Sequence, residues 1–202
     1  IIINNNSKEK ETEIYLNKLL VHKFIKVINI KTKEFNYSYL NNQAALEAKG
    51  NTFLLLNNDT EFLSSGWGSR LSSIATRKGI GCVGVKLIYD DWTIQHAGII
   101  LGIGGVAGHS HKFYNFDSKG YANRISLTQE ISANTAACLA ISKINWFKLN
   151  GLDEKNLKVN YNDVDLCLRA KKMGLRNIYL SDIMVIHHES KTRGKPEGKD
   201  YL

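Results

Sequence analysis

The sequence has no long apolar run. Nowhere do about 18 apolar residues follow one another, which is the length that a membrane-spanning helix needs. The opening triplet Ile1-Ile2-Ile3 is also too short to form the hydrophobic core of a signal peptide. We therefore expect a soluble, cytoplasmic chain.

Cysteine is scarce as well. The three cysteines, Cys82, Cys138 and Cys167, lie far apart in apolar segments, and no two of them have the CxxC spacing. This pattern predicts neither a disulfide framework nor a cysteine zinc site, and it fits a reducing cytosol.

Acidic residues are fewer than basic ones, 19 against 27, which gives a formal net charge of +8. The lysines are dispersed, and the sequence lacks the repeated aromatic residues beside basic clusters that are typical of surfaces binding single-stranded nucleic acid. We therefore expect no nucleic-acid partner and interpret the charge as that of a solvated surface. Attraction of this basic chain to the inner membrane face, as a peripheral protein, is a further hypothesis.

The 202 residues, 43% hydrophobic and 23% charged, can bury one substantial core. Apolar periodicity and turn residues predict strands at 1–3, 24–30, 52–56, 81–89, 93–101, 132–141 and 183–186, and helices through 14–20, 39–48, 67–77, 145–149 and 163–173. Strands and helices alternate at first, and the later part is richer in strands. The sequence thus predicts a single α/β domain.

A polar cluster, Asn57-Asn58-Asp59, directly follows the apolar strand at 52–56. Ligands of α/β sheets bind at such strand ends. Mg²⁺ or Mn²⁺ held together with a diphosphate takes only one or two protein carboxylates, so Asp59 can suffice as a metal ligand. The alternative is a capping turn for the next helix.

Two aspartates, Asp163 and Asp165, stand at the start of the helix predicted at 163–173. Residues two apart do not share a helix face, so one carboxylate is expected to face a cleft and the other solvent or Arg169. Asp163 is either a helix cap stabilised by the helix dipole or a general base. The residues alone leave both open.

Histidines occur at two kinds of position. His187 and His188 follow a buried strand, where an imidazole completes a metal site or is structural. His96 and the pair His109 and His111 lie in or near a glycine-rich stretch, where a polar loop is the default and zinc the alternative. The glycines from 102 to 108 lack a following helix and a suitably spaced acidic residue, so they do not predict a dinucleotide site.

Four segments in order carry a family resemblance: IIINNNS at 1–7, LLLNNDTEF at 54–62, IQHAGIILGIGGVAGHSH at 94–111, and YNDVDLCLR at 161–169 followed by IHHESKTRG at 186–194. Together they resemble glycosyltransferase family 2, in particular its rhamnosyltransferase-like branch of O-antigen or capsule biosynthesis. The resemblance implies a GT-A fold, a Rossmann-like mixed sheet flanked by helices. It also implies one domain at 1–194 and a first strand of the fold that would precede Ile1 and is missing here. Beyond Arg193 the sequence becomes rich in Lys, Gly and Pro, which predicts a tail at 195–202.

The resemblance also assigns roles to the metal and catalytic residues. Asp59 matches the last Asp of the family's metal motif and would hold Mn²⁺ or Mg²⁺, with Asn57 and Asn58 as hydrogen-bonding supports. Asp163 matches the catalytic base, although Asn162 replaces the Glu that precedes it in the family. His187 resembles a late histidine near the metal, and the doublet leaves His188 as the alternative.

Other roles concern the donor and the acceptor. Asn4 stands where the family places an Asp that recognises the base, and its side-chain oxygen can still accept a hydrogen bond from a uracil or thymine imide. Ala136 stands where a Gly lets the donor approach. The acceptor is expected over the half from Gly81 to His111, with four residues assigned to its side: Trp67, His96, His109 and Asp165.

The expected function is inverting, metal-dependent transfer from a UDP- or dTDP-sugar to a glycan or lipid-linked acceptor in surface polysaccharide synthesis. Two alternatives stay open. A sugar nucleotidyltransferase would share the nucleotide-binding half but would need a Gly-rich, basic phosphate loop near its start. A non-catalytic nucleotide- or glycan-binding remnant would explain Asn4, Ala136 and the missing first strand.

Overall fold

The structure, a computed structural model, describes residues 1–188. The predicted tail at 195–202 and the end of the segment at 186–194 lie outside the described residues. The strands are β1 Ile2–Asn4, β2 Val27–Asn29, β3 Thr52–Leu56, β4 Thr60–Phe62, β5 Ile80–Ile88, β6 Ile94–His96, β7 Ile99–Leu101, β8 Ala107–His109, β9 Gln129–Ile131, β10 Cys138–Ser142 and β11 Arg176–His187. The helices are α1 Lys10–Leu19, α2 Tyr37–Glu47, α3 Trp67–Ala75, α4 Lys143–Lys148 and α5 Asn162–Lys172.

A mixed sheet of seven strands forms the centre of the molecule. Its order is β3-β10-β5-β11-β4, with β6 also pairing with β5 and β9 with β11. β5 and β11 run parallel, and the other pairs in this sheet are antiparallel. β1 and β2 form a separate parallel pair, and β7 and β8 form an antiparallel hairpin.

All nine residues of β5 are buried, because helices cover both faces of the sheet. On one face, Leu71 and Ile74 of α3 pack with Val83 and Val85 of β5. The other face carries a second cluster, built by α2, α4 and α5 against β3 and β10, whose members include Ala45, Phe53, Leu139, Trp146 and Leu166. This layering matches the α/β prediction.

The structure divides one predicted strand and shortens another. The predicted strand at 93–101 breaks at Gly98, whose φ of +99° suits glycine and separates β6 from β7. Of the predicted strand at 132–141, the first part, 132–137, is irregular, and only the part from Cys138 onward forms a strand, β10; the short β9 lies before it and was not predicted. The last strand, Arg176–His187, is longer than the predicted 183–186. Polar residues in its first half interrupt the apolar pattern on which the prediction relied.

β3 has the predicted bounds but not the predicted burial on both faces. Phe53 and Leu55 are buried, whereas Leu56 is 42% exposed. Within residues 1–188, β3 pairs only with β10 and β1 pairs only with β2. That the first strand of the family precedes Ile1 stays a prediction.

Within the described part of the chain, no helix combines the length and the apolar character needed to cross a bilayer.

Candidate active site at the end of the central sheet

Three loops meet beyond the end of β3. The backbone N–H of Asn57 donates to the carbonyl of Ala137 at 3.0 Å. Next to it, the N–H of Ala136 donates to Asp163 Oδ2 at 2.9 Å. The polar cluster after β3 and the first turn of α5 are therefore joined through the segment that leads into β10.

His187 completes this group from the end of β11. β11 pairs with β4 so that His187 lies opposite Thr60, which brings the imidazole beside the loop after β3. Its Nε2 lies 3.2 Å from Asp59 Oδ1 and 3.1 Å from Asn57 Nδ2. On its other side, Nδ1 lies 2.7 Å from Gln95 Oε1. His187 is only 8% exposed, so these contacts fix the ring.

The contacts of His187 determine its tautomer. An amide oxygen only accepts hydrogen bonds, so Nδ1 carries the proton and donates to Gln95 Oε1. An amide nitrogen only donates, so Nε2 accepts from Asn57 Nδ2. The single Nε2 lone pair, which accepts from Asn57 here, thus lies on the same side of the ring as Asp59 Oδ1, and these two acceptor atoms are 3.2 Å apart.

This arrangement fits a divalent cation. Asp59 Oδ1 is buried and lacks a hydrogen-bond partner among the described residues, a costly state for a carboxylate oxygen. Adjacent ligands of an octahedral ion at about 2.1 Å lie about 3 Å apart, close to the observed spacing of Oδ1 and Nε2. Residues 1–188 contain no group of three or more His, Cys, Asp or Glu side chains able to hold a metal. Asp59 and His187 would thus supply two ligands, as for an ion shared with a diphosphate.

His188 points away from this pair. Its Nδ1 contacts Asp90 Oδ1, and its Nε2 lies 3.8 Å from Glu61 Oε2. Only its backbone N–H turns toward the cluster, donating to the carbonyl of Asp59 at 2.9 Å. Of the two histidines, His187 is therefore the one whose ring nitrogen lies beside Asp59.

Asp163 is held by its backbone neighbours and stays half-buried. Oδ2 accepts from Ala136 N–H, and Oδ1 accepts from the N–H of Val164 at 2.8 Å. Each carboxylate oxygen has two lone pairs, so each keeps one for a further donor. α5 starts at Asn162, the residue that replaces the family's Glu. Asn162 is buried, and its Nδ2 donates to the carbonyl of Val159 at 2.8 Å. Asp163 thus lies in the first turn of α5, whose N-cap is Tyr161, and its carboxylate is an oriented acceptor.

Asp165 turns to a different side, as the helical period predicts. Its Oδ2 forms an ion pair with Arg169 Nη2 at 2.7 Å, and the same Nη2 donates to the carbonyl of Gly151 at 2.8 Å. The prediction that Asp163 and Asp165 diverge is confirmed. In the described contacts, Asp165 ties α5 to the turn before it.

Ala136 contributes its backbone. Its N–H donates to Asp163, and its carbonyl accepts from the Tyr37 hydroxyl at 3.1 Å. Burial, and then the charge of Asp163, raise the pKa of Tyr37. Tyr37 therefore remains a neutral donor that connects α2 to the cluster.

The donor-binding prediction for Asn4 concerns a different part of the structure. Asn4 ends β1, and its Nδ2 donates to Asn29 Oδ1 at 2.8 Å across the small sheet. Its own Oδ1 accepts from the N–H of Ser7 at 3.3 Å and keeps a lone pair. Asn58 is exposed beside Asp59. The roles of Asn4 and Asn58 remain predictions.

Residues predicted on the acceptor side make contacts within the protein. His96 is fully buried, and its Nδ1 lies 2.9 Å from Nδ1 of His109. His111 instead contacts Ser110, so His109 and His111 do not form the zinc pair considered above. Trp67 stacks on Phe62 with ring centroids 3.8 Å apart. In this conformation His96 supports the β7–β8 hairpin and has no surface for an acceptor.

Two curated proteins are similar to nearly the whole chain. Uncharacterized protein y4gI of Sinorhizobium fredii is 40% identical over 195 residues, and the O-antigen biosynthesis protein RfbC of Myxococcus xanthus is 34% identical over 196. Each alignment covers 96% of this chain but only 21% and 15% of those two proteins. The chain therefore spans a small part of their length. No protein-family model matches it.

Solved glycosyltransferase structures superpose on most of the chain. GalNAc-T7 with UDP, GalNAc and Mn²⁺ has a TM-score of 0.68 at 13% identity, over 92% of this chain and 37% of that one. Mannosyltransferase PcManGT of Pyrobaculum calidifontis, with GDP-Man and Mn²⁺, has 0.64 at 12%, over 95% and 48%. TarS 1–349 of S. aureus, with UDP-GlcNAc, has 0.60 at 12%, over 98% and 53%. The chain has the GT-A fold.

Within the GT-A fold, sequence reasoning missed two residues of the cluster. Tyr37 gave no signal beyond its place at the start of a helix. Gln95 did give one, because it and His96 are the two polar residues in the otherwise apolar segment from Ile94 to Ile100. In the structure Gln95 is only 3% exposed. A buried polar side chain needs a partner, which here is His187.

The His96–His109 pair predicts a pH dependence of stability for this GT-A domain. Burial, and then the neighbouring His109, lower the pKa of His96 well below 6.5. The unfolded chain therefore binds more protons than the folded one below pH 6.5. The contribution of neutral His96 to the free energy of unfolding is fully present above that pH and is lost as the pH falls. The loss is about 1.4 kcal/mol per pH unit until the folded pKa is reached.

Denaturant unfolding of the wild type at several pH values between 7.5 and 5 would measure this slope. His96→Gln is expected to be less stable at pH 7.5 but to lose less stability on acidification, whereas His22→Gln, at an exposed position, is expected to keep the wild-type slope. Equal slopes for wild type and His96→Gln would contradict the assignment.

Proposed function

We propose that this chain is the catalytic domain of an inverting, metal-dependent glycosyltransferase that uses a nucleoside-diphosphate sugar. One observation carries the proposal. A site suited to a cation, formed by Asp59 and His187, is joined through Asn57 and the segment before β10 to Asp163, a half-buried carboxylate with free lone pairs. A leaving-group site beside a candidate base is what transfer to a hydroxyl requires.

The donor diphosphate would lie at the loop after β3. A cation bound by Asp59 and His187 would act as a Lewis acid that stabilises the negative charge on the departing diphosphate. The solved structures of GalNAc-T7 and PcManGT contain Mn²⁺ together with a nucleotide or nucleotide sugar, which supports Mn²⁺ or Mg²⁺ here. Asn57 and Asn58 would support the same loop.

Asp163 would serve as the general base. The acceptor hydroxyl oxygen forms a bond to the anomeric carbon, the bond from that carbon to the diphosphate oxygen breaks, and the hydroxyl proton passes to a carboxylate oxygen of Asp163. Ala136 and Val164 hold the carboxylate in place through their N–H groups. A single displacement of this kind inverts the anomeric configuration.

The finer assignments rest on the family resemblance and on one relative. We place the chain in the rhamnosyltransferase-like branch of glycosyltransferase family 2, with a UDP- or dTDP-sugar as donor and a glycan or lipid-linked acceptor of surface polysaccharide synthesis. The O-antigen biosynthesis name of the Myxococcus xanthus relative supports the acceptor class. Peripheral association at the inner membrane face is part of the same proposal.

Calorimetric titration of the purified chain with UDP and dTDP, each with Mn²⁺ and with EDTA, tests the proposal. We expect one of the two nucleotides to bind in Mn²⁺ and to bind at least about tenfold more weakly in EDTA, because the cation would neutralise diphosphate charge. GDP serves as a base-mismatched control. Equal affinities with and without metal would remove the metal from the mechanism, and binding of none of the nucleotides would favour a non-catalytic remnant.

A further inference from the structure

We propose that Gln95 is a positioning residue that fixes the His187 tautomer and so creates the nitrogen ligand of the metal site. The inference rests on the proposed metal-dependent function and extends it to a residue with no assigned role. Gln95 acts through His187, on the far side of the imidazole from Asp59.

The contact between the two side chains is short and shielded. Gln95 Oε1 lies 2.7 Å from His187 Nδ1, and the two residues are 3% and 8% exposed. Water cannot easily replace a bond buried to this extent, so the amide oxygen is the acceptor that keeps the proton on Nδ1, while Asn57 Nδ2 donates to Nε2 on the other side of the ring. With the proton on Nδ1, Nε2 keeps its lone pair on the side of Asn57 and Asp59, where a cation could replace the Asn57 donor.

The sheet explains why Gln95 occupies this position. Leu87 of β5 pairs with His96 of β6 and also with Val185 of β11, so β6 and β11 lie on opposite sides of β5. The bond from Gln95 to His187 therefore passes across the end of β5 and links two strands that do not pair directly. It sets the direction of the His187 ring with respect to the sheet.

Strand alternation gives the two neighbouring polar residues different tasks. Successive side chains of a strand point to opposite faces. Gln95 contacts His187, and His96 contacts His109 of the hairpin. In the segment IQHAG, Gln95 thus contacts the proposed metal ligand His187, whereas His96 contacts the glycine-rich hairpin.

Removing the acceptor at position 95 has a defined consequence. In Gln95→Leu, the Nδ1 proton would have no acceptor in a buried site, and the ring would gain by moving the proton to Nε2 or by rotating. Either change removes the lone pair from the metal side. Loss of an outer-shell partner of a metal-ligating histidine typically weakens metal binding about 10- to 100-fold.

The test uses two measurements on the whole chain. The first is ¹⁵N NMR of the histidine side chains in the metal-free protein, with His187 assigned by the loss of its signals in His187→Gln. We expect a protonated Nδ1 and an unprotonated Nε2 in the wild type. We expect a changed protonation pattern in Gln95→Leu and the wild-type pattern in Gln95→Glu, whose carboxylate still accepts from Nδ1.

The second measurement is the Mn²⁺ affinity in the presence of the nucleotide that the wild type binds, by calorimetry or by the electron paramagnetic resonance of free Mn²⁺. Gln95→Leu is expected to bind Mn²⁺ about 10- to 100-fold more weakly. Gln95→Glu is expected to stay within a few-fold of the wild type. Gln43→Leu makes the same chemical change on α2 and is expected to have no effect.

The outcomes separate this inference from the function on which it rests. If the wild type binds no Mn²⁺, the metal-dependent function fails, while the NMR result still reports on the tautomer. If the wild type binds Mn²⁺ and Gln95→Leu binds it equally well with the wild-type ¹⁵N pattern, the role of Gln95 is refuted. Should Gln95→Leu not fold, a protonated Nε2 with an unprotonated Nδ1 in the wild type would refute it as well.

Discussion

Asp163→Asn is expected to lower the rate of sugar transfer by about 10²- to 10⁴-fold, the usual contribution of a general base. The amide cannot take the hydroxyl proton, although its oxygen can still accept one of the two backbone N–H groups that hold Asp163. The nucleotide should bind as tightly as before, since Asp163 contacts neither Asp59 nor His187 in the described structure. Release of UDP or dTDP from a panel of sugar donors, with a panel of glycan acceptors, measures the rate.

Two comparisons make this prediction specific. Asp182→Asn makes the same chemical change at a surface ion pair with Arg70, and it should change stability by less than about 1 kcal/mol and leave transfer unaffected. Thermal unfolding of Asp163→Asn checks that the helix start survives the loss of one N–H acceptor. Transfer by a folded Asp163→Asn protein at the wild-type rate would show that another group takes the proton.

Asp59→Asn is expected to weaken metal-dependent nucleotide binding without lowering the stability of the metal-free protein. Without the carboxylate, nucleotide affinity in Mn²⁺ should fall about 100-fold or more, at or beyond the upper end of what an outer-shell loss costs. In EDTA the variant and the wild type should bind the nucleotide alike. Calorimetric titration under both conditions gives the comparison.

The same substitution should not destabilise the metal-free protein. Asp59 Oδ1 is buried without a hydrogen-bond partner among the described residues and faces the His187 lone pair. An amide N–H at that place could share the Nε2 lone pair with Asn57 Nδ2 and would remove the buried carboxylate charge, which together contribute up to about 1 kcal/mol. A raised melting temperature with lost metal dependence is expected of a site built for a ligand, whereas a lowered one would indicate that Asp59 is structural. Glu61→Gln, two residues along and directed to His188, serves as the matched control.

Local patterns accounted for much of the candidate site. The end of an apolar strand followed by Asn57-Asn58-Asp59 predicted a polar group at the sheet edge, because strand ends and turns are defined by neighbours in the sequence. The helical period predicted that Asp163 and Asp165 point to different sides, which the Asp165–Arg169 ion pair confirms. Both inferences needed only residues within one element.

Predictions for the acceptor side depended on more than local pattern. A glycine-rich stretch with His96 and His109 has the composition of a functional loop, yet the structure joins the two histidines to each other. Trp67, at the start of α3, packs on Phe62 of the preceding strand β4. Exposure to an acceptor depends on which surfaces other elements cover, and spacing alone does not contain that information.

By itself, the sequence determined the α/β class, the end of β3 before Asn57 and the divergence of Asp163 and Asp165, because these follow from periodicity within one element. Only the tertiary structure decided that His187 rather than His188 faces Asp59, since this depends on the register of β11 against β4. The tertiary structure also decided that Gln95 contacts His187, because their strands, β6 and β11, both pair with β5 and lie on opposite sides of it. Hydrogen bonds are short and directional, so their partners are fixed by the order and register of distant strands.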